Sequence, residues 1–282
     1  MIRFGAHAFT WVSDWTEENA RLVATSAKEA GLQTMEIPLL RPREFDAGFV
    51  KELLAEHDLE ATYSLGLPVD ERLPDYPELA ASFLRTVIDK IVAAGGSMLS
   101  GVIYGTLGEL PGHPPKEEEY RQIARTLKEV AKYAADQGVS LGLEPVNRYE
   151  TYLVNTMQQA VDLIERIGKD NVFIHLDTYH ANIEEKGFAE PIRRAGSLVQ
   201  YVHLSESDRG TPGTGNVHWD EVFEGLRDIG FSGHLVMESF VAPHPDIARA
   251  TCMWRNVAPS SDILIRDGLS FLRAKGKEYG LL

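Results

Sequence analysis

Short apolar segments of β character alternate with longer segments of helical spacing eight times along the chain, at intervals of roughly 30 to 35 residues. The predicted strands are Ile2 to Phe9, Thr34 to Pro38, Leu59 to Leu65, Met98 to Tyr104, Val139 to Glu144, Val172 to Asp177, Leu198 to Leu204 and His234 to Ser239. The predicted helices are Glu17 to Ala30, Asp46 to His57, Glu78 to Ala94, Lys116 to Gln137, Met157 to Ile167, Glu190 to Ala195, Trp219 to Ile229 and Asp262 to Ala274. Where a helix is drawn, apolar residues recur on one face, as at Ile123, Leu127, Val130 and Tyr133. Repeated strand-then-helix units build a parallel sheet, because parallel neighbours need a crossover. Eight units suit a closed (β/α)8 TIM barrel, whose active site lies at the C-terminal mouth of the strands. An open doubly wound sheet is the alternative, and it usually carries a glycine-rich loop after its first strand. That place holds His7-Ala8-Phe9-Thr10-Trp11 instead. No linker or composition break interrupts the rhythm, so a single domain over residues 1–282 is expected.

Charge and cysteine usage narrow the partners. A formal net charge of −14 and a pI near 5.1 repel polyanions, so nucleic acid is not an expected partner. A lone Cys252 permits no intramolecular disulfide and no thiolate cluster. With no signal pattern at the N-terminus, the expected location is the cytoplasm. Ile91 to Gly108 carries no charge, but Gly95, Gly96, Gly101, Gly105 and Gly108 interrupt it. It reads as a helix end, a strand and a loop rather than a membrane span.

Four successive strands end in ionisable groups. The fifth runs Leu141-Gly142-Leu143-Glu144 and stops at Pro145, which cannot donate to a ladder; Asn155-Thr156 reads as the cap of the next helix. The sixth ends at Asp177, the seventh at His203 and the eighth at Glu238. In a barrel these ends meet at one mouth, where three carboxylates repel unless a divalent cation lies among them. An oxygen-rich set with one imidazole suits Mn2+ or Mg2+, with Co2+ also compatible. His175 reads as a core histidine and His218 as a helix-capping residue. Glu150, His180 and Arg209 flank the four, Arg209 within a loop too rich in glycine and proline to be helical. Asn147 and Arg148 are expected only to fix their loop and orient Glu144.

The segments LEPVNRYETYLVNT, HLDTYHANIEE, HLSESDRGTPGTGNVHW and MESF, in this order and spacing, resemble the ketose 3-epimerases of the D-tagatose/D-psicose (D-allulose) 3-epimerase family, which are xylose-isomerase-like barrels. The similarity runs from FGAHAFTWVSDW through MEIP and SLGL to the last strand and is strongest in the second half. It implies that Glu144, Asp177, His203 and Glu238 bind one metal ion, Mn2+ first. It also implies that Glu144 and Glu238 are the acid/base pair inverting C3 of a free ketose through a cis-enediolate. Glu150, His180 and Arg209 would hold the O1 to O3 end of a sugar such as D-tagatose, D-psicose/D-fructose or L-ribulose. Trp15, Glu36 and Gly66 would line the mouth, with His7 as a further substrate contact. The resemblance also implies a homodimer or homotetramer. Some members place a tryptophan over the substrate after the fourth strand. Here the segment is Val102-Ile103-Tyr104-Gly105-Thr106-Leu107, so Leu107 or Tyr104 takes that place.

Four other functions compete. An aldose–ketose isomerase would use the same ligands and move a proton between C1 and C2. A ketose-phosphate 3-epimerase would take its phosphate on the amides of Gly210 to Gly215. A sugar-binding barrel would bind ketose without proton exchange. A metal-dependent AP endonuclease shares the Glu, Asp-x-x-His, His, Glu order, but adds histidines at earlier strand ends and an Asp-x-His. The third strand here ends Ser64-Leu65-Gly66, and the late loop reads Asp208-Arg209-Gly210.

Overall fold

The computed structural model describes residues 1–240 and 245–282. Its strands are β1 (Ile2–His7), β2 (Thr34–Pro38), β3 (Glu60–Gly66), β4 (Met98–Val102), β5 (Ser140–Leu143), β6 (Val172–Asp177), β7 (Val199–His203) and β8 (Gly233–Met237). They pair in chain order, all parallel, and β1 closes on β8. The expected (β/α)8 barrel is therefore what forms. Around it lie α1 (Glu17–Glu29), α2 (Ala47–His57), α3 (Pro77–Ala93), α4 (Glu117–Asp136), α5 (Met157–Ile167), α6 (Thr178–Glu184), α7 (Ala189–Ala195), α8 (Trp219–Asp228), α9 (Pro245–Thr251) and α10 (Ser261–Glu278).

Every residue of β2 and of β6 is buried, as the two-sided covering of a parallel barrel strand requires. The amphipathic α4 presses Ile123, Leu127, Val130 and Ala134 inward. Thr156 caps α5, accepting from the Gln159 amide while the Gln159 side chain accepts from the Thr156 amide. This capping box fixes where the loop after β5 must end.

Three stretches differ from expectation, one of them α9, which no predicted helix covers. β4 stops at Val102, and Tyr104 turns inward, its hydroxyl donating to the carbonyls of Glu144 (2.7 Å) and Val154 (3.2 Å). A short helix, α6, follows β6 without a loop, so Asp177 both ends a strand and caps a helix, accepting from the Tyr179 amide at 2.6 Å. The uncharged stretch from Ile91 to Gly108 holds the end of α3, β4 and a turn. Among the described residues no helix is long and apolar enough to cross a membrane.

Candidate active site

Strand register assembles the site. Asp177 and His203 end β6 and β7 and pair across the sheet, while Glu144 and Glu238 follow β5 and β8 directly. His203 Nδ1 lies 3.7 Å from Glu144 Oε1, 3.7 Å from Asp177 Oδ2 and 3.6 Å from Glu238 Oε2. These separations are too long for hydrogen bonds and short enough to share one cation. His203 Nδ1 has no hydrogen-bond partner among the described residues, although it is buried. Its other nitrogen, Nε2, lies 2.5 Å from Glu36 Oε2. Glu36 thus accepts from Nε2–H and turns Nδ1 between three carboxylates, the orientation a metal-ligating histidine needs. The donor set fits a divalent ion, and Asp177, His203 and Glu238 are close enough to share one.

Burial and charge push these groups apart. Burial, reinforced by Glu238 and Asp177, raises the Glu144 carboxyl well above its ordinary range. Burial also raises Asp177, but Arg209, His180 and His203 outweigh it and hold that carboxyl well below. Burial pushes Glu150 up to about 7, against the pull of Arg209 and Asn147. Burial would lower His203, yet Glu36 and Glu238 lift it well above the usual imidazole value. The field at that point favours positive charge.

Backbone amides fix two further histidines. The Asn147 amide donates to His180 Nδ1 at 3.1 Å. Burial lowers the His180 ring to about 3, and Arg209 Nη2 lies 3.2 Å from its Nε2, so both ring nitrogens face N–H donors. Nε2 also faces Glu144 and Asp177 at 3.8 Å, and these three residues are close enough to share a cation. His7 accepts from the Phe9 amide at 3.1 Å in the same way, turning its Nε2 to Ser64 and Glu36. Arg209 donates through Nη1 to Asp177 (2.9 Å) and to Glu238, with its guanidinium 4.0 Å from the Tyr179 ring centre.

A cavity of about 230 Å3 opens above the four strand ends. Glu144, Glu150, His180, His203, Arg209 and Glu238 line one side; His7, Phe9, Gly66, Leu107 and Phe240 line the rest. Three residues expected against substrate lie elsewhere. Glu36 is wholly inaccessible, its Oε2 held by Tyr201 and His203. Tyr104 is buried beneath the loop after β5, so Leu107 takes the place over the cavity. Trp15 lines an adjoining hollow with Ser13, Asp14 and Arg41, sharing only Phe9, Pro38 and Leu40 with the mouth. His175 is buried in the barrel core, edge-on to His203 and Tyr201. His218 flanks α8 and makes no side-chain cap.

Asn147 does more than its expected task. Its Nδ2 donates to Glu150 Oε1 at 2.8 Å while its amide holds His180, so one residue orients two cavity groups. Arg148 ties the same loop to α6, reaching Glu184 through Nε, Nη2 and its own amide. Glu206, passed over in the sequence, is buried at the root of the Arg209 loop. A carboxylate between two serines in a polar loop gives no periodic signal, and only its unbroken burial marks it out.

The signature of the family described as "Xylose isomerase-like TIM barrel" matches residues 24–273. The chain is 39% identical over 280 residues to the L-ribulose 3-epimerase of Methylomonas sp. (strain DH-1), spanning 97% of this chain and 98% of that protein. It is 35% identical over 280 residues to the ketose 3-epimerase of Arthrobacter globiformis, spanning 97% and 96%. Among solved structures, a D-allulose 3-epimerase from Methylomonas sp. in complex with D-allulose superposes with a TM-score of 0.93 at 38% identity, covering 97% of each chain.

Proposed function

The chain belongs to the ketose 3-epimerases, within the xylose isomerase-like TIM barrels, and from that membership we propose that its mouth inverts C3 of an unphosphorylated ketose. One observation carries the reading: Glu144 and Glu238, from strands on either side of the β6–β7 pair, both face His203 Nδ1 and both line the cavity. The ligand set is Glu144, Asp177, His203 and Glu238, and the ion is Mn2+, with Co2+ or Mg2+ as substitutes. A divalent ion bound there supplies Lewis-acid polarisation of the ketose oxygens. One glutamate takes the C3 proton. The other returns a proton to the opposite face of the enediolate, and the roles exchange with direction. Arg209 donates to sugar oxygens, His180 contacts them through Nε2, and Glu150 accepts from a sugar hydroxyl. Phe9, Leu107 and Phe240 keep water from the intermediate. The protein is a homodimer or homotetramer in this reading, which light scattering tests.

The absence of phosphate from the substrate is supported by the β7–α8 loop. Its Gly210 and Gly213 amides already serve Asp208 and Glu206. The deciding experiment incubates Mn2+-loaded protein with D-allulose, D-tagatose, L-ribulose and their phosphates in D2O. Deuterium at C3 of the free sugars, with the C3 epimer as product, is the expected result. Deuterium at C1 or C2 with an aldose product makes the protein an isomerase instead, and turnover of phosphates alone overturns the substrate class.

A further inference from the structure

The β7–α8 loop closes around a carboxylate of its own. Glu206 Oε1 accepts from the amides of Ser207 (2.8 Å) and Val217 (3.1 Å). Its Oε2 accepts from the Gly213 amide (2.9 Å) and the Trp219 indole (3.0 Å). Four N–H donors on two oxygens is what glycine-rich loops otherwise offer to a phosphate. Here the anion is built in. A Cβ on Gly215 would lie 2.5 Å from Glu206 Oε1 and from Ser207 Oγ, so the carboxylate dictates glycine at that position.

Arg209 sits on this cradle. Its amide donates to the Glu206 carbonyl at 2.9 Å, and its φ of 64° is left-handed. A residue with a Cβ holds that conformation only where its surroundings impose it. We propose that Glu206 is a positioning residue: its carboxylate fills the amide cradle and thereby sets the loop so that the Arg209 guanidinium reaches the cavity. The inference rests on Arg209 being a substrate contact, as proposed above. A glutamine at 206 keeps the side-chain volume but turns an NH2 toward N–H donors, leaving buried amides unpaired. The loop then relaxes, Arg209 leaves its backbone well, and the strand-borne metal donors lose only its contacts to Asp177 and Glu238.

The test compares Glu206→Gln, Glu206→Ala, Arg209→Ala and the Glu206→Ala/Arg209→Ala double variant, all Mn2+-loaded. Both Glu206 variants are expected to lose on the order of 10- to 100-fold in kcat/KM, chiefly through KM. Metal affinity by calorimetry changes no more than it does in Arg209→Ala, because the Glu206 variants disturb the metal donors only through the Arg209 contacts to Asp177 and Glu238. Formate, which fits the emptied cradle, restores Glu206→Ala saturably, whereas chloride at equal ionic strength does not, and Arg209→Ala gains nothing from either. The double variant is no worse than Arg209→Ala. Parental kcat/KM in Glu206→Gln overturns the proposal, as does a loss that formate leaves untouched. A parent that epimerises no ketose overturns the functional reading instead. Hydrogen exchange then judges the cradle without substrate: faster exchange at Gly213 and Val217 in Glu206→Gln, slowed again by formate in Glu206→Ala, supports it, and unchanged exchange overturns it.

Discussion

β1 to β4 end in His7, Pro38, Gly66 and Val102, whereas β5 to β8 run into Glu144, Asp177, His203 and Glu238. The same architecture, repeated, places shape on one half of the mouth and charge on the other. Apart from His7 and Ser64, the first half contributes small or apolar walls, and its buried carboxylate, Glu36, acts by holding a histidine of the second half. A barrel of this kind separates what fits from what reacts. Substitutions in the second half should decide whether turnover occurs, and those in the first half should decide for which substrate.

The largest effects belong to the charged half. Glu144→Gln and Glu238→Gln should each lower kcat by about 10³- to 10⁴-fold with the fold intact by circular dichroism. Chelation of the parent should abolish turnover and lower Tm, and Mn2+ should restore both. Asp177→Asn should show no Mn2+-dependent shift in Tm. Near-parental epimerisation by either glutamine variant removes the proton-transfer role from that half.

Glu36→Gln tests a point where the halves join. Glu36 accepts from both His203 and Tyr201 at 2.5 Å. Burial pushes its carboxyl up, but His203 and His7 outweigh burial and hold it below the ordinary range. Losing the charge should weaken Mn2+ binding or activity by about 10- to 100-fold, the usual cost of removing a group that orients a metal-bound histidine. A calorimetric titration reads it directly. Unchanged affinity would make the first half purely a matter of shape.

Glu150 gives an effect of similar or smaller size that depends on pH. Its carboxyl is raised by burial to about 7 from 4.5. If its ionised form accepts from the sugar, kcat/KM should rise with pH through about 7, and Glu150→Gln should flatten that limb. Stability runs the other way. Between 4.5 and about 7 the folded chain keeps a proton that the unfolded chain has released, so this group favours folding below that window. As pH rises through it, the parent should lose on the order of 3 kcal/mol relative to Glu150→Gln. Thermal unfolding of both proteins across pH 4 to 8 checks the sign.

The strand-end groups were legible in the sequence because they lie one repeat apart at equivalent positions, and a parallel barrel sends equivalent positions to one mouth. Glu36 was misplaced because its partner sits on β7, across the barrel, and no spacing in the chain relates Glu36 to His203. Trp15 and Tyr104 were misplaced for a related reason: both belong to loop segments, whose path follows packing rather than period. The early end of β4 turns Tyr104 under the Glu144 loop and leaves Leu107 above the cavity. The proton position on His7 depends on which backbone amide meets the ring, a fact only the folded chain contains.

The smallest effects should come from the walls, and they sharpen the comparison most. A Cβ placed on Gly66 would lie 3.4 Å from the Leu107 side chain, so the two residues set the cavity's width together. Leu107→Ala removes one wall and should shift the ratio of kcat/KM toward ketohexoses over ketopentoses by roughly tenfold, the discrimination available from a few methylenes. Gly66→Ala adds bulk against Leu107 and should shift the ratio the other way. In both variants kcat on the better substrate should stay within about threefold of the parent, because no proton-carrying group has moved. Paired assays with D-allulose and L-ribulose measure the ratio. If both variants lose kcat and leave the ratio unchanged, the first half takes part in the chemistry after all, and the division between fit and reaction fails where it should have been cleanest.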